Sequence, residues 1–210
     1  CRPFPKMSGW PTEAGSSGAA ARSAVAARNK RAGVLASQGA VDKLLAILEG
    51  LGVEATRVLG EADLVGLDGL IIPGGESTTI SKGLSRLGLW EPIRAYARSG
   101  GAILGTCAGA ILLARACENH PVATLELLDL KAIRNAYGTQ VDSFVAPCDS
   151  GGEPKLAGMQ CVFIRAPQVG ELGPDVEVLL RVDGLPVLVR QGRLLAATFH
   201  PELAGDPRVH

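Results

Sequence analysis

From residue 32 onward, short apolar runs alternate with stretches of helical periodicity. "AGVLAS" (32–37) is an apolar run of strand length. "VDKLLAILEGLG" (41–52) sets Val41, Leu44, Leu45 and Leu48 on one helical face and ends on glycine. "VEATRV" (53–58) alternates as a half-buried strand does, and "LDGLIIPGG" (67–75) is a buried strand stopped by Pro and Gly. "STTISKGLSRLGLW" (77–90) and "EPIRAYARSG" (91–100) carry helical patterns. "GAILGT" (101–106) is a further buried strand, and "AGAILLARA" (108–116) continues as a helix. Strand–helix alternation at this spacing predicts βαβ units and a parallel sheet.

The pattern then changes. "AIRNAYG" (132–138), "CVFIRAP" (161–167), "VEVLLRV" (176–182), "LPVLVRQG" (185–192) and "RLLAATF" (193–199) are strand-like and closely spaced, which predicts antiparallel additions. No internal repeat is visible. The expected fold is a single α/β domain over 32–210, in three layers around a central mixed, mostly parallel sheet. Residues 1–31 are rich in Pro, Gly, Ser, Ala and Arg without periodicity. They read as a disordered extension or an artefact of where the sequence starts, outside the fold.

Composition narrows the function classes. The 210 residues are 47% hydrophobic, enough for a full core, and Lys+Arg and Asp+Glu both number 21. A balanced charge argues against a nucleic-acid groove or an anionic membrane as partner. No apolar run approaches the ~20 residues of a membrane helix. The five cysteines (Cys1, Cys107, Cys117, Cys148 and Cys161) are scattered and lack CxxC spacing. The expectation is no disulfide framework, no structural zinc and a reducing cytoplasm.

Open α/β sheets bind ligands beyond the C-terminal ends of their strands. "PGG" (73–75), "GTCAG" (105–109) and "TFHPE" (198–202) all fall at such ends. A free cysteine is ordinarily a small core hydrophobe, but Cys107 stands between two glycines where a strand gives way to a helix. A sharp turn there lifts the side chain clear of the sheet and aims free helix N–H groups at whatever it attacks. The helix N-terminus also supports a thiolate. Gly105 and Gly109 keep Cβ atoms out of the corner.

A nucleophile needs a base, and the chain has three histidines. His210 is the last residue and His120 precedes a proline in a loop. His200 follows a buried run and has Glu202 two positions on, which in an extended segment points the same way. Glu202 then reaches one imidazole nitrogen and leaves the other for Cys107, a nucleophile–base–orienter arrangement. "PGGEST" supplies a third part. Its glycines let backbone N–H groups approach a developing oxyanion, and Gly75 N–H with Ala108 N–H is the expected donor pair.

Together these parts resemble a class I glutamine amidotransferase domain, a flavodoxin-like fold. "GVLASQGAV", "DGLIIPGGESTTI", "GTCAGAILLA", "RNAYGTQVDSF", "FIRAP" and "TFHPEL", in that order, resemble within that class the glutaminase subunits of pyridoxal 5′-phosphate synthase. The resemblance implies Cys107, His200 and Glu202 as catalytic triad. It implies Gly75, Glu76, Ser77, Arg134, Ile164 and Arg165 as the L-glutamine site, the arginines and carboxylate suiting the zwitterionic end of glutamine. It further implies a barrel-shaped synthase subunit as hetero-oligomeric partner, receiving ammonia to build pyridoxal 5′-phosphate, with no cofactor or metal in the glutaminase itself. The chain departs from the pattern at Ser37 (usually a larger apolar residue), Leu44 (usually His), Glu126 (usually Gly) and Thr139 (usually basic). Two alternatives stay open: a glutaminase serving a different acceptor synthase, and a cysteine hydrolase of related fold.

Overall fold

A computed structural model of the chain describes residues 29–134, 143–151 and 153–210. The expected disordered extension lies almost wholly outside the described residues, as do "NAYG" (135–138) and Thr139.

In chain order the elements are β1 (Arg31–Leu35), α1 (Val41–Gly50), β2 (Glu54–Val58), β3 (Gly69–Ile72), α2 (Ser77–Leu87), α3 (Trp90–Arg98), β4 (Ala102–Thr106), α4 (Ala108–Leu113), β5 (Ala114–Glu118) and β6 (Leu128–Ile133). There follow β7 (Phe144–Pro147), β8 (Gln160–Phe163), β9 (Gln168–Leu172), β10 (Glu177–Val182), β11 (Leu185–Gln191) and β12 (Leu194–Ala197). Seven strands form the main sheet in the order β10-β11-β12-β4-β3-β1-β2. β2, β1, β3, β4 and β12 run parallel, while β10–β11 and β11–β12 are antiparallel. The domain is thus α/β around a mixed, mostly parallel sheet.

The period of two sorts the central strands between two apolar layers. Leu35, Ile72 and Ile103 face α2, α3 and α4, packing with Ile80, Leu84, Ile93 and Leu112. Their neighbours Val34, Ile71 and Leu104 face α1 and the β7–β8 hairpin, packing with Leu44, Leu48, Phe163 and Phe199. Leu44 is fully buried here, so the departure at that position places an apolar side chain in the core.

Four expectations need correction. The helix expected over 108–116 ends at Leu113. All six α4 residues are buried, so its sequence carries no polar face to mark where the helix stops. Ala114 then opens a strand whose Arg115 pairs with Asp129 at 2.8 Å. Trp90 belongs to the second helix of its pair, because Gly88 at φ 64° closes α2 with a left-handed cap. The later strands are not all antiparallel: β6–β9 and β7–β8 are, but β5–β6 and β12–β4 are parallel. β12 folds back from β11 and so comes to run with β4.

The last correction concerns sulfur. Cys148 and Cys161 are joined as a disulfide, Cα atoms 6.4 Å apart. The antiparallel register of β7 with β8 sets Ala146 opposite Cys161 and brings Cys148 alongside. No CxxC spacing advertises a pair made by register, and the cysteine pattern no longer argues for a compartment. Among the described residues no helix is long and apolar enough to cross a membrane.

Candidate active site

Three turns converge at the C-terminal edge of the parallel strands. The first carries Cys107. β4 ends at Thr106, α4 begins at Ala108, and Cys107 between them sits at φ 48°, ψ −106°. A non-glycine residue at positive φ costs on the order of 1–3 kcal/mol and persists only where its surroundings enforce it. They do so here. Cys107 N–H donates to Ala197 O at 2.8 Å, and Cys107 O accepts from Ala110 N–H at 3.1 Å. A Cβ on Gly105 would lie 2.5 Å from Gly109 O, and one on Gly109 only 2.0 Å from Ile72 O. The helix start therefore rests directly on the backbone of β3, which only glycines permit.

The second turn carries His200 and Glu202. His200 N–H donates to Val162 O at 2.8 Å, fixing the residue against β8. The segment is not extended as expected: Pro201–Leu203 is a single tight helical turn. The pairing forms nonetheless, with His200 Nδ1 2.8 Å from Glu202 Oε1 and Glu202 only 2% exposed. Burial pulls the imidazole pKa down, but hydrogen bonds to Cys107 and Glu202 and the charges of both outweigh it, raising it to about 10. His200 is thereby a held imidazolium with Cys107 on one side and the Glu202 carboxylate on the other.

The third turn, at 73–77, closes a cavity of about 190 Å³. Gly75, Glu76, Ser77, Arg134, Ile164 and Arg165 line it. Cys107, Ala108 and His200 form the base. The structure thus brings together every expected site residue around one cavity, with Glu202 buried behind His200. Ile111 and Pro167 complete the lining; the sequence reading did not single them out, and as apolar residues in ordinary runs they carry no signal. Gly74 was likewise not singled out, yet a Cβ there would meet His200 Cε1 at 2.5 Å and Cys107 Cβ at 3.2 Å.

Polar groups inside the cavity are arranged for a ligand. Glu76 caps α2, accepting from Thr79 N–H at 2.9 Å and from the Thr78 hydroxyl, and pairs with Arg134 Nη2 at 2.5 Å. Burial would raise its pKa, but the hydrogen bonds from Thr78 and Thr79 prevail and bring it to about 2. Ser77 Oγ and Arg134 Nη1 are buried without a hydrogen-bond partner among the described residues. Such groups are costly unless something binds them. Gly75 N–H and Ala108 N–H also have no acceptor among the described residues.

Comparison with known proteins gives the family. Residues 34–210 match the SNO glutamine amidotransferase family. The chain is 48% identical to a pyridoxal 5′-phosphate synthase subunit PdxT of Deinococcus radiodurans, with 85% of this chain and 92% of the relative covered. It is 50% identical to the PdxT of Mycolicibacterium vanbaalenii, with 85% and 93% covered. A crystal structure of a glutamine amidotransferase superimposes with a TM-score of 0.80 at 46% identity, over 85% of this chain and 94% of that one. PurLQS from Thermotoga maritima shares the fold at a TM-score of 0.61 and 19% identity, over 86% and 93%. The chain belongs to the SNO glutamine amidotransferase family.

Proposed function

We propose that this chain is the glutaminase subunit of a pyridoxal 5′-phosphate synthase. It hydrolyses L-glutamine to glutamate and ammonia and passes the ammonia to a barrel-shaped synthase subunit. The observation that carries the reading is the alignment of Cys107 and His200 on the cavity with Glu202 buried behind the imidazole. The identity to PdxT relatives supports this acceptor over a different synthase, and the charged Glu76–Arg134 wall supports glutamine over an extended peptide. The acceptor reaction works on phosphorylated sugars, whose charges do not cross a bilayer. We therefore place the subunit in the cytoplasm.

The chemistry follows from the placement. The Cys107 sulfur attacks the side-chain amide carbon of glutamine. Gly75 N–H and Ala108 N–H receive the oxyanion. His200, a ready proton donor, protonates the departing ammonia, leaving a glutamyl thioester. Water deprotonated by His200 then releases glutamate. Glu202 holds the imidazole in position through Nδ1. Arg134 Nη1 and Ser77 Oγ offer donors to the glutamine carboxylate, and Glu76 an acceptor to its ammonium; Ile164 and Arg165 line the same cavity.

The test is Cys107→Ala. It should abolish glutaminase activity, a loss on the order of 10⁶, while leaving the melting temperature close to that of the parent. A glutamine-like electrophile should label Cys107 and spare Cys117. An active Cys107→Ala protein would refute the assignment.

A further inference from the structure

The one disulfide among the described residues staples the β7–β8 hairpin, Cys148 to Cys161. In the cytoplasm proposed for this chain, thiol reductants keep protein disulfides rare, and those that form are mostly transient or redox-sensing. Cys161 is followed directly by the residues that carry β8 into the active site. Val162 O accepts from His200 N–H at 2.8 Å. The Phe163 ring packs edge-on against Phe199, the residue before His200, with centroids 5.9 Å apart. Ile164 O lies 4.0 Å from Cys107 Sγ, and Arg165, at φ 45°, lines the cavity. The segment that begins at the disulfide therefore touches the nucleophile, the base and the cavity in turn.

We infer that Cys148 and Cys161 are a reversible thiol–disulfide site, through which the surrounding small-molecule thiols set the turnover of the Cys107–His200 pair. The inference rests on the proposed glutaminase reading. Cys148 is 9% exposed and Cys161 fully buried, so exchange enters at Cys148. On oxidation the Cys148 thiolate attacks a small-molecule disulfide, RSSR, forming a mixed disulfide and releasing RS⁻. The Cys161 thiolate then attacks Cys148 Sγ, closes the S–S bond and releases the second RS⁻. Two electrons pass from the pair to RSSR, and the two thiol protons go to the two departing thiolates. Reduction is the reverse. Without the bond the sulfurs move apart to van der Waals separation, inside a core that also holds Met159, Phe163 and Phe199. A close-packed interior transmits such a displacement, and the 162–165 segment receives it. The oxidised pair is the state in which the catalytic contacts are formed.

The test equilibrates full-length protein, alone and with the barrel subunit, in reduced or in oxidised glutathione, removes the glutathione and measures glutamine turnover. Peptide mass analysis reads the state of each cysteine, and rates are normalised to the free Cys107 thiol. Reduction should lower kcat about 10-fold, less than the ~10² that a displacement of about 1 Å costs, with KM within about twofold. The His200 Cε1–H NMR signal should shift between the two states. Cys148→Ala should run at the reduced rate in either glutathione. Equal kcat in the oxidised and reduced parent overturns the inference, as does a Cys148→Ala protein that still responds, or a pair that stays as free thiols in oxidised glutathione. Should Cys107→Ala remain active, the glutaminase reading itself fails. Should Cys107 prove essential while the parent turns over at one rate in both states, only the redox site fails.

Discussion

Two glycine-bearing turns meet at the active site and are held by different means. At 105–109 the main chain is locked by main chain: Gly109 lies against Ile72 O, Gly105 against Gly109 O, and Cys107 N–H on Ala197 O. At 73–77 the restraint is borrowed from the loop between β1 and α1: Gln38 Oε1 accepts from Glu76 N–H, and Gly39 leaves a recess for Gly74 O. The nucleophile must stand at one spot throughout the reaction, and close packing provides that because cores resist deformation. The oxyanion donor has to meet charge that appears only in the transition state, and a hydrogen bond suffices to aim it. Rigidity at the first turn is a property of the fold, whereas orientation at the second is a property of a few replaceable side chains.

The largest effect expected from this contrast is on folding. Gly109→Ala forces a methyl into the Ile72 carbonyl and should destabilise the domain by about 3 kcal/mol or more. Chemical denaturation would measure it. Gly75→Ala should behave otherwise. Its Cβ meets only the end of the Gln38 side chain, although φ 150° is unfavourable for alanine. The expected cost is about 1 kcal/mol in stability, with a kcat loss of 10-fold or more. Equal destabilisation by the two substitutions would break the contrast.

The triad allows a sharper comparison within the rigid side of the site. His200→Asn removes the proton carrier and should cost 10²–10⁴-fold in turnover, more than Glu202→Gln, which removes only the orienting contact. The imidazole has its own signature. Its pKa is raised from 6.5 to about 10 in the folded chain. The stability it contributes is therefore complete below pH 6.5 and disappears as pH rises through 10. Melting curves of the parent should fall across that window more steeply than those of His200→Asn. In Cys107→Ala the ring, followed by its NMR Cε1–H signal, should titrate at lower pH, since one of its two partners is gone.

These features differ in how far the sequence displayed them. The parallel core was legible because β1, β3 and β4 are buried on both faces and read as unbroken apolar runs. The site was legible because chemistry-bearing residues sat at predicted strand ends beside glycines. The true end of α4 was not, because a helix buried on every side has no polar stripe. The Cys148–Cys161 pair depends on hairpin register, which a spacing of 13 residues does not encode. Gln38 was within reach: "SQG" follows β1 at the same sheet edge as "PGG". A lone glutamine, however, advertises no chemistry, and its role lies in a contact across 38 positions.

Backbone strain offers the smallest and most specific test. Among the described residues five other than glycine have positive φ: Cys107, Asn119, Glu126, Arg165 and Asp183. Cys107 and Arg165 line the cavity, where strain positions a side chain for use. Glu126, at φ 56°, lies outside it, on the chain between the backbone bonds Leu125 N–H to Leu112 O and Leu127 N–H to Leu113 O. Among the described residues its carboxylate has no hydrogen bond or ion pair that would explain the conformation. The sequence resemblance implies glycine as the usual residue at this position, and glycine adopts such a φ freely. Glu126→Gly should therefore relieve strain and stabilise the domain by about 1 kcal/mol, leaving kcat and KM unchanged. Thermal melting and glutamine turnover, measured side by side, decide the matter. A loss of stability would mean that the glutamate supports the segment covering α4, and that its strain, like that of Cys107, is tied to a use.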